Sequence, residues 1–273
     1  MRNRELTPRE IHRRLTIFTD KKISEQTKMK DCSNFLTTLA YNNNGAVLIE
    51  KGDYLGAISS LSLALKAAKN SMAEDYDEGD LQQEVLSFSV DDLMAKGPLQ
   101  ESHIEEGFYV YDRPIRIPEV WGVSKDERSS TERLPQHPRV VVCSAISTFN
   151  LALAHHLCAL KNNTNSEALL NKSTKLYEYG LQVQQGAYYE DDREREDDQE
   201  ADIFSLAMLN NLADVHRRLQ NSEIAKAYSE TILQVLLSII DTNDSATETL
   251  DAFYQNTFFY LISSRGVNTA AAA

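Results

Sequence analysis

Apolar positions recur three and four residues apart over most of this chain, the spacing that lines one face of an α-helix. Thr7-Pro8-Arg9-Glu10 reads as a helix start: Thr7 caps, Pro8 suits the first helical position, and Glu10 closes a capping box. Ile11, Leu15 and Phe18 then share a face. A second helix is predicted from about Ser33 to Lys51, where Gly52-Asp53 breaks it. A third runs from about Tyr54 to Lys69, with Ala57, Leu61, Ala64, Leu65 and Ala68 on one stripe. Tyr41 to Ala68 therefore reads as a helical hairpin, with Gly45 and Ala57 where the helices touch and Gly52-Asp53-Tyr54 at the turn.

From Asn70 to about Gln136 the helical period fades. Glu74 to Asp80 is acidic and turn-like. Gly107-Phe108-Tyr109-Val110-Tyr111, followed by Arg113-Pro114-Ile115-Arg116-Ile117-Pro118, reads as extended chain, since each proline disfavours helix in the residue before it. With Trp121 this aromatic stretch suggests a segment packed over the body, carrying one short strand pair. Ser124 to Gln136 reads as disordered.

Helix is predicted again from about Arg139 to Leu160, then from Ser166 to Gln185, Asp202 to Leu219, Ser222 to Ile240 and Ala246 to Ser264. In the last, Leu250, Phe253, Thr257, Phe258 and Leu261 fall on one side, which suits a final capping helix. Glu190 to Asp198 is a charge run of the kind found in solvated loops. The expected layout is a basic helical appendage (1–31) and one helical domain (32–264), followed by a disordered tail (265–273). An irregular insertion (70–138) and an acidic loop (186–201) interrupt the domain.

Composition narrows the function classes. With 10 Gly and 6 Pro in 273 residues the chain is poorly suited to a turn-rich all-β fold. The net charge is −13, yet residues 1–30 carry nine Lys/Arg against four Asp/Glu, so the remaining body is at −18. An acidic body repels phosphate backbones, and no nucleic-acid partner is expected. No apolar run is read as approaching the roughly 20 residues that span a bilayer, so no membrane role is expected. Three cysteines, Cys32, Cys143 and Cys158, fit a reducing, cytoplasmic compartment better than a disulfide framework. The sequons at Asn162 and Asn171 are then chance matches.

Three segments can be laid over one another: Tyr41 to Ala46, Phe149 to Leu153, and Leu209 to Asp214. Aligning Gly45 with Ala152 and Ala213 puts Asn43, Asn150 and Asn211 in one column. Downstream, Gly52-Asp53-Tyr54-Leu55-Gly56-Ala57 matches Gln220-Asn221-Ser222-Glu223-Ile224-Ala225. Small residues at Gly45/Ala57 and Ala213/Ala225 let paired helices approach closely. The pattern resembles the tetratricopeptide repeat (TPR): Tyr41, Gly45, Leu48, Ala57, Leu61 and Ala64 stand at that family's signature positions. Asn44 replaces the usual leucine, and Lys69 stands where a proline is expected. The family repeats about every 34 residues; here the asparagines are 107 and 61 residues apart, so the units are interrupted or lengthened. The chain is also similar to an uncharacterised group of TPR-like proteins from diatoms, over most of Tyr41 to Ile262. The resemblance implies an all-α, right-handed stack of antiparallel helix pairs with degenerate repeats and one long irregular insertion.

It also implies that the first helices line a groove for extended peptides. Asparagine donates to and accepts from a peptide backbone at once, so Asn43, Asn150 and Asn211 are the candidate grips, helped by Asn42, Asn210, Asp214, Arg217 and Arg218. The sequence leaves open whether that groove is free or filled by residues 107–118. The expected function is a non-catalytic interaction module or adaptor for an unidentified protein partner, with no cofactor. Alternatives are a self-associating structural protein, or an enzyme or metal protein with Tyr109, Tyr111 and Trp121 as a lid. His155, His156 and Cys158 invite a metal reading, but a structural zinc site needs four ligands, and packed histidines are expected. No phosphate loop, HExxH or nucleophile elbow is present.

Overall fold

The computed structural model describes residues 33–72, 104–105, 108–118, 136–162, 164–188, 202–240 and 247–270. The basic appendage at 1–31, the acidic stretch at 74–80, Trp121, residues 124–135 and the charge run at 190–198 lie outside the described residues.

Within them the fold is all-α. Helix α1 spans residues 33–50, followed by α2 (Tyr54–Met72), α3 (Gln136–Lys161), α4 (Ser166–Tyr188), α5 (Asp202–Arg218), α6 (Ser222–Ile240) and α7 (Thr247–Ala270). Between α2 and α3, β1 (Ile104–Glu105) pairs antiparallel with β2 (Phe108–Tyr109), Ile104 opposite Tyr109. Residues 110–118 then run on with neither helix nor strand pairing. Each helix from α2 onward packs on its neighbours in chain order, and β2 lies against α7.

The turns follow from local chemistry. Gly52 adopts a left-handed backbone (φ 74°), its N–H bonds Ile49 O at 2.8 Å, and Asp53 N–H reaches Leu48 O at 2.9 Å. That pair of bonds is the Schellman closure, which uses up carbonyls the helix end leaves free. Asp53 then caps α2, its Oδ1 accepting from Gly56 N–H at 3.0 Å. Gln220 repeats the closure between α5 and α6 at φ 61°, with bonds from Gln220 N–H to Arg217 O and Asn221 N–H to His216 O. The equivalence of Gly52-Asp53 and Gln220-Asn221 is therefore one of backbone geometry.

Burial places the small residues inside: Ala57, Ala64, Ala152 and Ala225 are fully covered and Ala213 nearly so. The atoms that close over Gly45 belong to Leu61, one turn beyond Ala57. A Cβ at residue 45 would sit 2.5 Å from Leu61 Cγ.

Several boundaries differ from the sequence reading. Helix α2 continues to Met72 and α3 starts at Gln136, which shortens the insertion expected at 70–138 at both ends. Pro138 is accommodated because it lies in the first turn of α3, where N–H groups have no intrahelical partner. Helix α4 runs to Tyr188, so 186–188 are helical and not part of an acidic loop. Helix α7 runs to Ala270, where a disordered tail was expected from 265. A lone Gly266 costs only about 1 kcal/mol relative to alanine and does not by itself end a helix. On α7, Leu250, Phe253 and Thr257 are buried as expected, but Phe258 is 67% exposed. It sits about 100° around the helix from Thr257, off the stripe. The expectation that no apolar run is long enough to cross a bilayer also fails. Val140–Lys161 has the length and a mean hydropathy of 1.5, and 89% of its most apolar window is buried by the other helices. Such burial on all sides gives a core helix the composition of a membrane span.

Gly45→Ala is expected to lower the unfolding free energy by about 1–3 kcal/mol through overpacking against Leu61, outweighing alanine's higher helix propensity. Equilibrium denaturation checks this. The cost should largely vanish when the same change is made in a Leu61→Ala background.

Candidate functional site

Asn43, Asn150 and Asn211 lie on α1, α3 and α5, alternate helices of the stack, and all three face the strap formed by residues 110–118. Each carboxamide takes both backbone groups of one strap residue. Tyr111 N–H donates to Asn211 Oδ1 at 2.8 Å, and Asn211 Nδ2 donates to Tyr111 O at 2.9 Å. Ile115 N–H donates to Asn150 Oδ1 at 2.8 Å, and Asn150 Nδ2 returns to Ile115 O at 2.7 Å. Ile117 N–H donates to Asn43 Oδ1 at 2.8 Å, and Asn43 Nδ2 returns to Ile117 O at 2.7 Å. The strap thus passes α5, α3 and α1 in that order, opposite to the order of the helices in the chain.

Residues 111, 115 and 117 are separated by even numbers, which is the parity strand geometry requires. In extended chain, alternate residues present N–H and C=O to the same edge and side chains to the same face. Tyr111, Ile115 and Ile117 are buried at 4%, 2% and 1% exposure, and Arg116 between the last two is exposed; Val110, of the other parity at the start of the strap, is buried as well.

Further side chains hold the clasps. Asn42 Nδ2 donates to Asn43 Oδ1 at 3.3 Å and to Ile115 O at 3.1 Å, and Asn42 Oδ1 accepts from Asn150 Nδ2 and Ser147 Oγ. Asn210 repeats the bracing role on α5, donating to Asn211 Oδ1 at 3.3 Å and accepting from Asn256 Nδ2 at 2.6 Å. Asn211 Nδ2 also donates to Tyr177 Oη at 3.0 Å. Burial pushes the Tyr177 hydroxyl far above its ordinary pKa, so it stays protonated. Tyr111 stacks on Phe253 and meets Phe149 edge-on, with centroids 6.1 and 6.0 Å apart. At the other end Arg116 forms a two-point ion pair with Glu50, Nε to Oε1 at 3.1 Å and Nη2 to Oε2.

Energetics explain the clasps. Burying Ile115 and Ile117 contributes about 1.5–3 kcal/mol each. The same burial removes water from the strap backbone, where each unsatisfied N–H or C=O costs about 1–3 kcal/mol. The asparagines cancel a penalty that would otherwise match the hydrophobic gain.

Asp214, Arg217 and Arg218, expected to help grip a peptide, are placed otherwise. Asp214 is buried one turn along α5 from Asn211 and engages His156 Nε2 at 3.0 Å, Arg217 Nη2 at 2.8 Å and Arg218 Nε at 2.7 Å. Burial alone would raise its pKa. The hydrogen bond and charge of His156, with Arg218 and Arg217, overcome this and hold it well below the usual carboxylate range. The acid must be ionised and multiply partnered to sit there, which makes it a pin between α3 and α5. His155 and His216 are both buried, and His216 stacks on Tyr228 at 5.6 Å. Among the described residues no group of three or more His, Cys, Asp and Glu converges as metal ligands. Cys143 and Cys158 are both buried.

The sequence left open whether residues 107–118 fill the groove; residues 110–118 do, and the even spacing of Tyr111, Ile115 and Ile117 was the signal that they share one edge. The braces Glu50, Ser147 and Asn256 were not among the sequence candidates. No family model matches the chain, and no curated protein or solved structure matches it either.

Asn211→Ala should lower the unfolding free energy by about 2–4 kcal/mol, because both buried backbone groups of Tyr111 lose the carboxamide, and Asn150→Ala by about 1–3 kcal/mol, because Ile115 O keeps its bond from Asn42 Nδ2. Asn43→Ala, at a half-buried clasp that water can reach, should cost about 1 kcal/mol. Chemical denaturation of the three variants tests this order.

A pH effect follows from His155, whose pKa is pushed down to about 4, first by burial and then by Lys172. The unfolded chain takes up this proton from about pH 6.5 downward, whereas the folded protein does so only near 4. His155 therefore favours the fold above that window, and its contribution is lost as pH falls through it. Asp214 acts lower, since a depressed carboxylate keeps its contribution until pH drops below the ordinary carboxylate value. Thermal melts between pH 7 and 4.5 should show Tm falling, with a shallower fall in His155→Leu.

Proposed function

We propose that this protein is a non-catalytic protein–protein interaction module, an adaptor of TPR-like kind whose stacked helix pairs grip an extended protein segment. The observation that supports this reading is the triple clasp. Three asparagines from alternate helices each bind N–H and C=O of a single residue, a mode that accepts any backbone and leaves selectivity to side-chain pockets. The occupant at rest is the chain's own strap, so an incoming segment must compete with residues 110–118. An odd number of cysteines, with Cys158 a buried free thiol, supports a reducing compartment, and we place the adaptor in the cytoplasm on that ground.

A second reading has its own support. Val110, Tyr111, Ile115 and Ile117 are buried as deeply as the helix core, which favours a permanent structural strap in a helical scaffold.

One experiment separates the two. A fluorescent peptide with the sequence of Phe108 to Pro118 is titrated into the wild-type chain, into Ile115→Ala/Ile117→Ala, and into that variant with Asn150→Ala added. The adaptor reading expects the loosened strap to raise peptide affinity at least tenfold over wild type, about 1.4 kcal/mol. The added Asn150→Ala should abolish the gain. Equal, negligible binding by all three chains would leave the strap as a fixed part of the fold.

A further inference from the structure

We infer that the strap is exchangeable between two copies of this chain, each seating its residues 110–118 in the asparagine clasps of the other. The partner that this face fits is therefore a second copy. The inference uses the same clasps as the adaptor reading but needs no foreign segment.

Three observations carry it. The strap's hydrogen bonds to Asn42, Asn43, Asn150 and Asn211 are all made by side chains of the helices, across sequence separations of 35 to 100 residues. Its strand neighbour is β1, which is joined to it through the same hairpin and can travel with it. These contacts are ones that an identical segment satisfies equally well.

The connections are also long. Thirty-one residues separate Met72 from Ile104, and seventeen separate Pro118 from Gln136. Seventeen residues span up to about 55–60 Å when extended, enough to reach a neighbouring molecule. A strap on the same chain as its groove meets it at an effective concentration on the order of millimolar, so the closed monomer prevails in dilute solution. Crowded chains that fold together have both options.

Exchange is reciprocal by construction. If one copy's strap enters the second, the second's strap is displaced toward the vacated clasps of the first, which closes a twofold dimer with no open end.

The Arg116–Glu50 pair gives the test, because one partner travels with the strap and the other stays on α1. Both side chains are about half exposed, so their replacement leaves the core untouched. In full-length Arg116→Glu the strap meets Glu50 of its own chain, like charge on like. In Glu50→Arg the native Arg116 meets a second guanidinium on α1, again like on like. Exchange between the two variants restores an opposite-charge pair at one site in each copy's groove. The two chains, carrying different tags, are refolded separately and together at high protein concentration and low salt, where exposed pairs are least screened. Size and tag content are then read by light scattering and sequential capture.

The exchange predicts a one-to-one heterodimer, several-fold enriched over random pairing and lost at high salt. If either variant folds only in the presence of the other, that also supports it. A mixture that stays monomeric, or pairs no more often than chance, overturns it. Peptide binding without exchange would keep the adaptor reading and end this one. Exchange without peptide binding would do the reverse.

Discussion

Among the described residues the extended segment 110–118 is buried in a helical body with no paired strand alongside it, and this structure is organised around that deficit. Helices satisfy their own N–H and C=O groups internally, and sheets satisfy theirs across strands. Residues 110–118 do neither, yet Tyr111, Ile115 and Ile117 are buried. The carboxamide of asparagine is chemically a peptide group on a short arm, with an acceptor oxygen and a donor nitrogen at the spacing of a peptide edge and a second N–H left for a brace. Asn43, Asn150 and Asn211 therefore stand in for a missing strand, one residue per helix. Glutamine would carry the same group on a longer arm that loses more rotamer freedom on fixing. Aspartate offers no donor to the strap carbonyl.

This constraint reaches into the packing of the helices. The three asparagines must line up on one edge, so α1, α3 and α5 must hold a fixed spacing and rotation. The buried alanines, the close approach at Gly45 and the paired Schellman turns at Gly52 and Gln220 set that geometry. The Asp214 cluster fixes α5 against α3 through His156, one turn from Asn211. Breaking a buried ion pair by removing one partner leaves an uncompensated charge, so that register is held firmly. Asn42 then ties α1 to α3 directly, through Asn150 and Ser147.

The asparagine column was legible because each clasp sits next to a small packing residue, and three copies of one local arrangement can be aligned. The helix pairs were legible from their period, and Gly52 from the break in it. The register of the strap was not, for a physical reason: asparagine reads backbone, so nothing in the sequence of α1, α3 or α5 encodes which strap residue it meets. The partnership of Asp214 with His156 was hidden for a related reason. Arg217 and Arg218 lie three and four residues away on the same helix and are visible as neighbours, while His156 comes from another helix. Phe258 was misassigned because it stands next to a buried stripe without belonging to it.

The prolines show how the strap itself is suited to this arrangement. A proline at residue 111, 115 or 117 would have no N–H to give and would leave an asparagine oxygen unmet. Pro114 and Pro118 occupy positions outside the clasps. Each restricts the residue before it to extended backbone, and for Pro118 that residue is Ile117, itself clasped. The strap is therefore partly straightened before it is bound. Ordering a residue costs about 1–2 kcal/mol of backbone entropy, and a segment that has lost part of that freedom in the unfolded chain loses less on docking. The saving belongs to the strap and not to the groove it fills. It is the same whether the clasps are those of its own chain or of another copy, so the choice between them falls to the tethers and to protein concentration.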